Sequence, residues 1–202
     1  MVAVLQPTLF GSSEPAVDGS LSGSERIELS DGAWIEVRSG WLRGEQQVFD
    51  ELVASTAWRA EQRPMYDRIV DVPRLTAAVP RDGPGHAVLD DIVEIISARY
   101  DEPCDRIALA WYRDGRDSVA PHGDQIARDM DTTTMAIVSC GARRRFRLSP
   151  VAGGPGRTLE LGHGDLLVMG GTIQRTWRHG VPKTARAVGP RLSIMFRPPW
   201  LG

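Results

Sequence analysis

TTMAIVSCGARRRFRLSPVAGGPGRTLELGHGDLLVM, residues 133–169, holds four short apolar or alternating runs: Thr133 to Cys140, Arg145 to Ser149, Thr158 to Leu161 and Asp165 to Met169. Glycine, proline and aspartate turns separate them, the pattern of short strands rather than of helices. The rhythm continues outward, with Arg106 to Arg113 before this stretch and Arg191 to Arg197 after it. A parallel sheet would require helices between its strands, and none is signalled, so the pattern predicts an antiparallel sandwich or jelly roll. Helices are expected upstream. From Gly44, EQQVFDELVAST places Val48, Phe49, Leu52 and Val53 on one helical face, and Thr56 to Arg63 leads out of it. A second helix over His86 to Tyr100 turns Leu89, Ile92, Val93 and Ile96 toward a core. The fold class is thus mainly β, with helical N-terminal segments and no internal repeat.

Composition narrows the function classes without choosing one. With 202 residues, 42% hydrophobic and 25% charged, the chain can bury a sizeable core, and disorder, collagen and coiled coil fit poorly. A formal charge of -2 removes the overall basic balance that duplex binders usually show, so nucleic acid would need a local patch. Such a patch exists in Arg143-Arg144-Arg145-x-Arg147, which could track phosphates or form a solvated strand face. Of the 24 basic residues only Lys183 is lysine, an arginine excess that suits phosphate and carboxylate contacts and also follows from a GC-rich coding composition. Cys104 and Cys140 are expected as free thiols in a reducing compartment. The start of the chain lacks a signal-peptide pattern and no run approaches a membrane span, so the cytoplasm is expected and a membrane is not.

Chemistry concentrates around the histidines. In Ala120-Pro121-His122-Gly123-Asp124, an extended backbone sends the His122 and Asp124 side chains to the same face. Taken alone, this pair also describes a loop histidine beside a capping aspartate. A second imidazole from a distant strand would complete a two-His, one-carboxylate triad of the kind that suits non-heme Fe(II), and His179 in Trp177-Arg178-His179-Gly180-Val181-Pro182 is the candidate. His86 and His163 read as structural or surface residues. Near the C-terminus, Arg191-Leu192-Ser193-Ile194-Met195-Phe196-Arg197 sends two guanidinium groups and the Ser193 hydroxyl to one face, while Leu192, Ile194 and Phe196 need the other face buried. Inward arginines require anions, and a dicarboxylate ligand with a metal-bound aspartate would satisfy both.

From about Trp41 to Pro198 these motifs, in order and spacing, resemble the AlkB-like family of Fe(II)/2-oxoglutarate-dependent dioxygenases. The resemblance rests on Tyr112-Arg113-Asp114-Gly115-Arg116-Asp117-Ser118-Val119 leading into His122-x-Asp124, on Gly164 to Gly171, on His179-Gly-Val-Pro-Lys-Thr, and on Arg191-x5-Arg197. It implies a double-stranded β-helix, a cupin-like jelly roll, with an N-terminal nucleotide-recognition lid. It divides the chain into a flexible tail over residues 1–25, a helix and lid over 26–85 and a catalytic core over 86–202. By the same resemblance His122, Asp124 and His179 would ligate Fe(II). Arg191 would pair with the distal carboxylate of 2-oxoglutarate, helped by Tyr112 and Ser193, and Arg197 would fix Asp124 or the proximal carboxylate. The implied reaction uses O2 and releases succinate and CO2. An N-methyl base such as 1-methyladenine or 3-methylcytosine, in DNA or RNA, would be repaired with release of formaldehyde, a DNA repair activity.

The lid matches in part. Met65-Tyr66-Asp67-Arg68, followed by Val72-Pro73-Arg74, resembles the segment that inserts where a flipped base has left the stack, with Met65, Tyr66 and Arg74 as substrate contacts. A tyrosine and a methionine packed under the lid give the same pattern. Three positions depart from the family: Ala110 replaces an Asn that serves the cosubstrate, Leu75 to His86 lacks the stacking aromatics, and Ile126 replaces an acid that reads the base. Base-aromatic stacking is worth about 1–3 kcal/mol, so an oxygenase acting on a small molecule or a protein side chain is carried as the alternative. Two further expectations complete the sequence reading. The chain is taken as a monomer. Gln6-Pro7-Thr8-Leu9-Phe10, ahead of a Gly/Ser-rich tether over Gly11 to Ser24, resembles the short peptide that docks on the bacterial sliding clamp through Gln6, Leu9 and Phe10; Leu9 and Phe10 could instead pack back on the jelly roll.

Overall fold

The computed structural model describes residues 14–65, 68–79, 87–124 and 130–199, with only the backbone course over 61–65 and 68–71. In chain order its elements are β1 (Ala16–Val17), β2 (Glu25–Glu28), β3 (Ala33–Arg38), β4 (Leu42–Arg43), α1 (Glu45–Ser55), β5 (Arg59–Met65), β6 (Arg68–Ala78), α2 (Ala87–Tyr100), β7 (Arg106–Tyr112), β8 (Val119–His122), β9 (Met135–Gly141), β10 (Arg144–Pro150), β11 (Arg157–Leu161), β12 (Asp165–Gly171), α3 (Ile173–Thr176), β13 (Trp177–Val181) and β14 (Arg191–Arg197). An eight-stranded sheet runs β2-β3-β12-β9-β14-β7-β6-β5, and a four-stranded sheet runs β11-β10-β13-β8. Every pairing is antiparallel.

Burial explains the two kinds of strand. All seven residues of β9 are buried, because one face of the large sheet meets α1 and α2 and the other meets the small sheet. On the helix side Val48, Phe49, Leu52, Leu89, Ile92 and Ile96 pack on Val138, Leu166, Ile194 and Phe196. Each such burial contributes about 1.5–3 kcal/mol. Between the sheets, Tyr112, Ile137, Leu167 and Met169 face Phe146, Leu148, Trp177 and Val181. Strand β10 instead alternates buried and exposed, since its second face is open to solvent. The site lies in the inter-sheet layer.

Both expected helices form within a residue or two of their predicted bounds. The predicted strands appear too, with β14 at the bounds read from sequence. Two expectations change. The tether predicted over Gly11 to Ser24 does not extend through its second half: Ala16 and Val17 pair with Arg43 and Leu42, Leu21 is buried, and the Trp41 Nε1–H donates to the Asp18 carbonyl at 2.8 Å. Asp18 accepts from the Ser20 N–H and both nearby serine hydroxyls, so small polar residues here close a turn. The division at residue 86 does not coincide with a break in the sheet either, because β3 pairs with β12 and β6 with β7. Gln6, Leu9, Phe10, Tyr66, His86 and Ile126 lie outside the described residues. No helix among the described residues is long and apolar enough to cross a membrane.

Candidate metal centre and its cavity

Strands β8 and β13 are neighbours in the small sheet, and His122 and His179 face each other across that pairing. Their rings lie 4.5 Å apart, centroid to centroid. Asp124 follows two residues after His122, and its Oδ1 lies 3.6 Å from His122 Nε2 and 3.9 Å from His179 Nε2. One ligand atom from each of the three residues falls within 4.8 Å of the others. The His122 Nδ1 is 2.8 Å from the Ala120 carbonyl. A carbonyl only accepts, so the proton sits on Nδ1 and the Nε2 lone pair faces the other two groups. His179 is buried and stacks on Phe146 with ring planes 14° apart.

Asp124 is held through both its side chain and its backbone. Arg197 Nε donates to Asp124 Oδ2 at 2.7 Å, which leaves Oδ1 to the imidazoles. Gln174, on α3, accepts the Asp124 backbone N–H on its Oε1 at 2.9 Å. Residue 123 is glycine for a spatial reason: a Cβ there would stand 2.2 Å from the Gln174 carbonyl oxygen. Burial pushes the Asp124 carboxyl upward, but Arg197, His179 and His122 together outweigh it and hold the group below its ordinary range. Burial drives His179 down to about 4 against the opposing pull of Asp124. At neutral pH the cluster therefore presents a carboxylate and a neutral buried imidazole, the forms that bind a cation.

On β14 the residues Arg191, Ser193, Met195 and Arg197 occupy one face, in register with Tyr112, Ala110, Ala108 and Arg106 of β7. Arg191 is fully buried, its Nη2 donates to Ser139 Oγ at 2.7 Å, and its Nε and Nη1 have no partner among the described residues. Burial lowers its basicity. A buried guanidinium with two unsatisfied nitrogens is costly and calls for an anion. The Tyr112 ring lies 5.5 Å from the Arg191 guanidinium carbon. A cavity of about 920 Å³ opens beside this strand, lined by His122, His179, Arg197, Ser193, Tyr112 and Arg74 among others.

Of the residues singled out from sequence, His122, Asp124, His179 and Arg197 come together, with Tyr112, Ser193 and Arg74 around the same cavity. Arg74 Nε is buried and without a partner among the described residues. Met65 belongs to β5, of whose side chain nothing is described. His163 sits apart, 3.6 Å from Glu45 Oε1, a carboxylate far away in sequence. Sequence reasoning missed Gln174, Ser139 and Phe146, whose partners lie on other strands. For Phe146 the alternation within β10 could have indicated an inward face; Gln174 carries no local signal.

Residues 84–197 match the family model of the 2OG-Fe(II) oxygenase superfamily. The chain belongs to this superfamily. The mouse protein "Alpha-ketoglutarate-dependent dioxygenase alkB homolog 3" is 31% identical over 151 residues, covering 70% of this chain and 50% of its own length. The Arabidopsis thaliana "DNA oxidative demethylase ALKBH2" is 32% identical over 134 residues, covering 54% of this chain and 41% of its own. The chain thus spans about half the length of the curated relatives it matches. Among solved structures, that of OsALKBH1 aligns with a TM-score of 0.61 at 15% identity over 87% of this chain and 100% of its own. A Trichoplax adhaerens prolyl hydroxylase aligns with a TM-score of 0.56 at 14% identity over 84% of each chain. These two likenesses concern the fold, a double-stranded β-helix. The family's cofactor set is Fe(II), 2-oxoglutarate and O2, and the residues fit it. Two imidazoles and one carboxylate suit non-heme Fe(II) with positions left open, and the unpaired nitrogens of Arg191 suit a carboxylate.

Proposed function

We propose that the protein is an oxidative dealkylase of nucleic acid, acting on N-alkylated bases of the 1-methyladenine and 3-methylcytosine type in DNA or RNA. The observation that carries the reading is the cavity of about 920 Å³, which has His122 and His179 in its wall and is large enough for a base beside a small dicarboxylate. The names of the relatives, an alkB homolog and a DNA oxidative demethylase, support the substrate class. When bound, Fe(II) and 2-oxoglutarate would, with O2 as the oxidant, supply oxidative decarboxylation to succinate and CO2 coupled to hydroxylation of the N-alkyl carbon, whose product loses formaldehyde to leave the free base nitrogen.

The chain's own residues supply aim. His122, Asp124 and His179 would hold the metal, and Arg197 engages Asp124 Oδ2, which leaves Oδ1 available. Arg191, with Tyr112 and Ser193, receives the distal carboxylate. The β5–β6 hairpin acts as the recognition lid and places Arg59, Arg74, Thr76, Ala77 and Ala78 in the cavity wall; Met65 and Tyr66 are proposed from sequence as the contacts to the space left by the flipped base. The aromatic rings in the described wall are Tyr112, Phe146 and the two imidazoles, so stacking on the base comes from fewer rings than in an aromatic-lined site. The test is a panel of methylated oligonucleotides, single- and double-stranded, read by mass spectrometry. Repaired base is expected with the native protein and none with His179→Ala. Succinate formation without repair of any oligonucleotide would favour the alternative, a small-molecule or protein side-chain hydroxylase.

We further propose a cytoplasmic monomer whose tail docks on a sliding clamp through Gln6, Leu9 and Phe10. A peptide of residues 1–13 should bind purified clamp in the micromolar range, corresponding to about -8 kcal/mol. The double substitution Leu9→Ala, Phe10→Ala in the full chain should abolish clamp binding without lowering Tm. A lower Tm with clamp binding intact would instead mean that both side chains pack on the fold.

A further inference from the structure

The outer face of the small sheet carries a second concavity that the reaction does not use. Along β10, Phe146 and Leu148 are buried between the sheets, so Arg145 and Arg147 project from the opposite side. The loop after β13 faces them across a groove of about 650 Å³, in which Arg143, Arg145, Arg147, Lys183 and Arg186 meet one carboxylate, Glu160. Arg145 lies 3.3 Å from Glu160, and Arg143 lies 3.9 Å from Asp165. Arg147, Lys183 and Arg186 have no ion pair among the described residues. The concentration is local, because the whole chain has a formal charge of -2.

The groove is also built to keep its shape. Arg144, buried beneath it, donates Nη1 to the Asp114 carbonyl and Nη2 to the carbonyls of Asp117 and Pro182, each at 2.9 Å. The Thr184 N–H donates to the Gly115 carbonyl at 2.9 Å, and the Ala142 N–H to the Pro190 carbonyl at 2.9 Å. Strand and loop are therefore clamped together along the groove, and of the five exposed cations held near one another three, Arg147, Lys183 and Arg186, have no matching anion among the described residues. A row of fixed, unpaired cations on a rigid floor fits a chain of regularly spaced anions.

We propose that this groove binds the sugar-phosphate backbone of nucleic acid, on the face of the small sheet opposite the metal centre. The inference rests on the nucleic-acid reading above and adds a contact that positions the polymer without touching the reacting base. Arginine and lysine at such positions read phosphate charge and carry no sequence preference. Binding of this kind helps a polymer substrate and leaves a mononucleoside unaffected.

The test uses the full chain and a labelled 20-mer duplex, with affinity measured by fluorescence anisotropy over a range of salt. The triple variant Arg147→Gln, Lys183→Gln, Arg186→Gln should lose at least about tenfold in affinity at 0.1 M salt and lower the slope of log K against log salt by about 3. Tm and the uncoupled turnover of 2-oxoglutarate should stay unchanged. Equal affinity and slope in native and variant protein would overturn the proposal, as would a native protein that binds no duplex. Displacement of the duplex by polyglutamate at equal charge would overturn it in favour of an acidic protein partner. Loss of duplex binding in the variant, with no repair of methylated bases by the native protein, would uphold the groove and sink the dealkylase reading alone.

Discussion

Arg191 is a fully buried guanidinium between the sheets, with one nitrogen on Ser139 and two without a partner among the described residues. Its replacement by a side chain of similar length should relieve the metal-free protein while removing the cosubstrate. Arg191→Met is expected to keep or raise the apoprotein Tm, because replacing a poorly paired buried charge by an apolar group is often neutral or stabilising. The native protein at 100 times the 2-oxoglutarate Kd gains about 2.7 kcal/mol, several degrees at about 2–4 °C per kcal/mol. That rise should vanish in the variant, and a retained rise would remove Arg191 from the ligand. His179 gives a pH signature of known sign. Its folded pKa of about 4 lies below the unfolded 6.5, so the unfolded chain takes the proton first and stability is lost as pH falls through that window. Urea unfolding of metal-free protein should show a loss of about 2 kcal/mol between pH 7 and pH 5, and His179→Gln should abolish that dependence. Gln174→Ala frees the backbone beside Asp124, and a 10–100-fold loss of metal affinity is expected by titration with Co(II); unchanged affinity would make Gln174 a packing residue. The His-x-Asp pair and the Arg191/Arg197 face were legible because a period of two places them from sequence alone. Gln174 was not, since its partner is 50 residues away.

Elements were legible where burial is one-sided or complete over several residues. The faces of α1 and α2, the alternation of β10 and the apolar run of β9 each carry their environment in their own pattern. β3, β5 and β6 were missed. In β5, RAEQRPM has almost no apolar alternation to signal a strand, and its partner is β6. β3 is specified by its neighbour: Gly170 of β12 pairs with Trp34, and a Cβ at 170 would stand 1.9 Å from the Trp34 ring. Gly170→Ala should therefore push the indole off β12 and cost about 1–3 kcal/mol, read as a fall of several degrees in Tm. A variant that unfolds at the native temperature would show that β3 does not depend on this contact.

For the whole molecule, the architecture divides labour between two faces of one layer. The large sheet is anchored by helices on its outer side, and its inner face brings Arg191 and Arg197 from β14 toward the histidines of the small sheet. The substrate is the least legible part, because Leu75 to His86 and Ile126 are where the sequence departs most from the resemblance. Ala108, Ala110, Ala77 and Ala78 leave the cavity wide where larger or polar side chains would narrow the choice of substrate. The most direct measurement is the ratio of formaldehyde to succinate released on an oligonucleotide bearing a single 3-methylcytosine. A ratio near one, with loss of the methyl group from the base and no products from His179→Ala, is the expected result. Succinate formed without formaldehyde, on single and double strands alike, would contradict the assignment to nucleic-acid dealkylation.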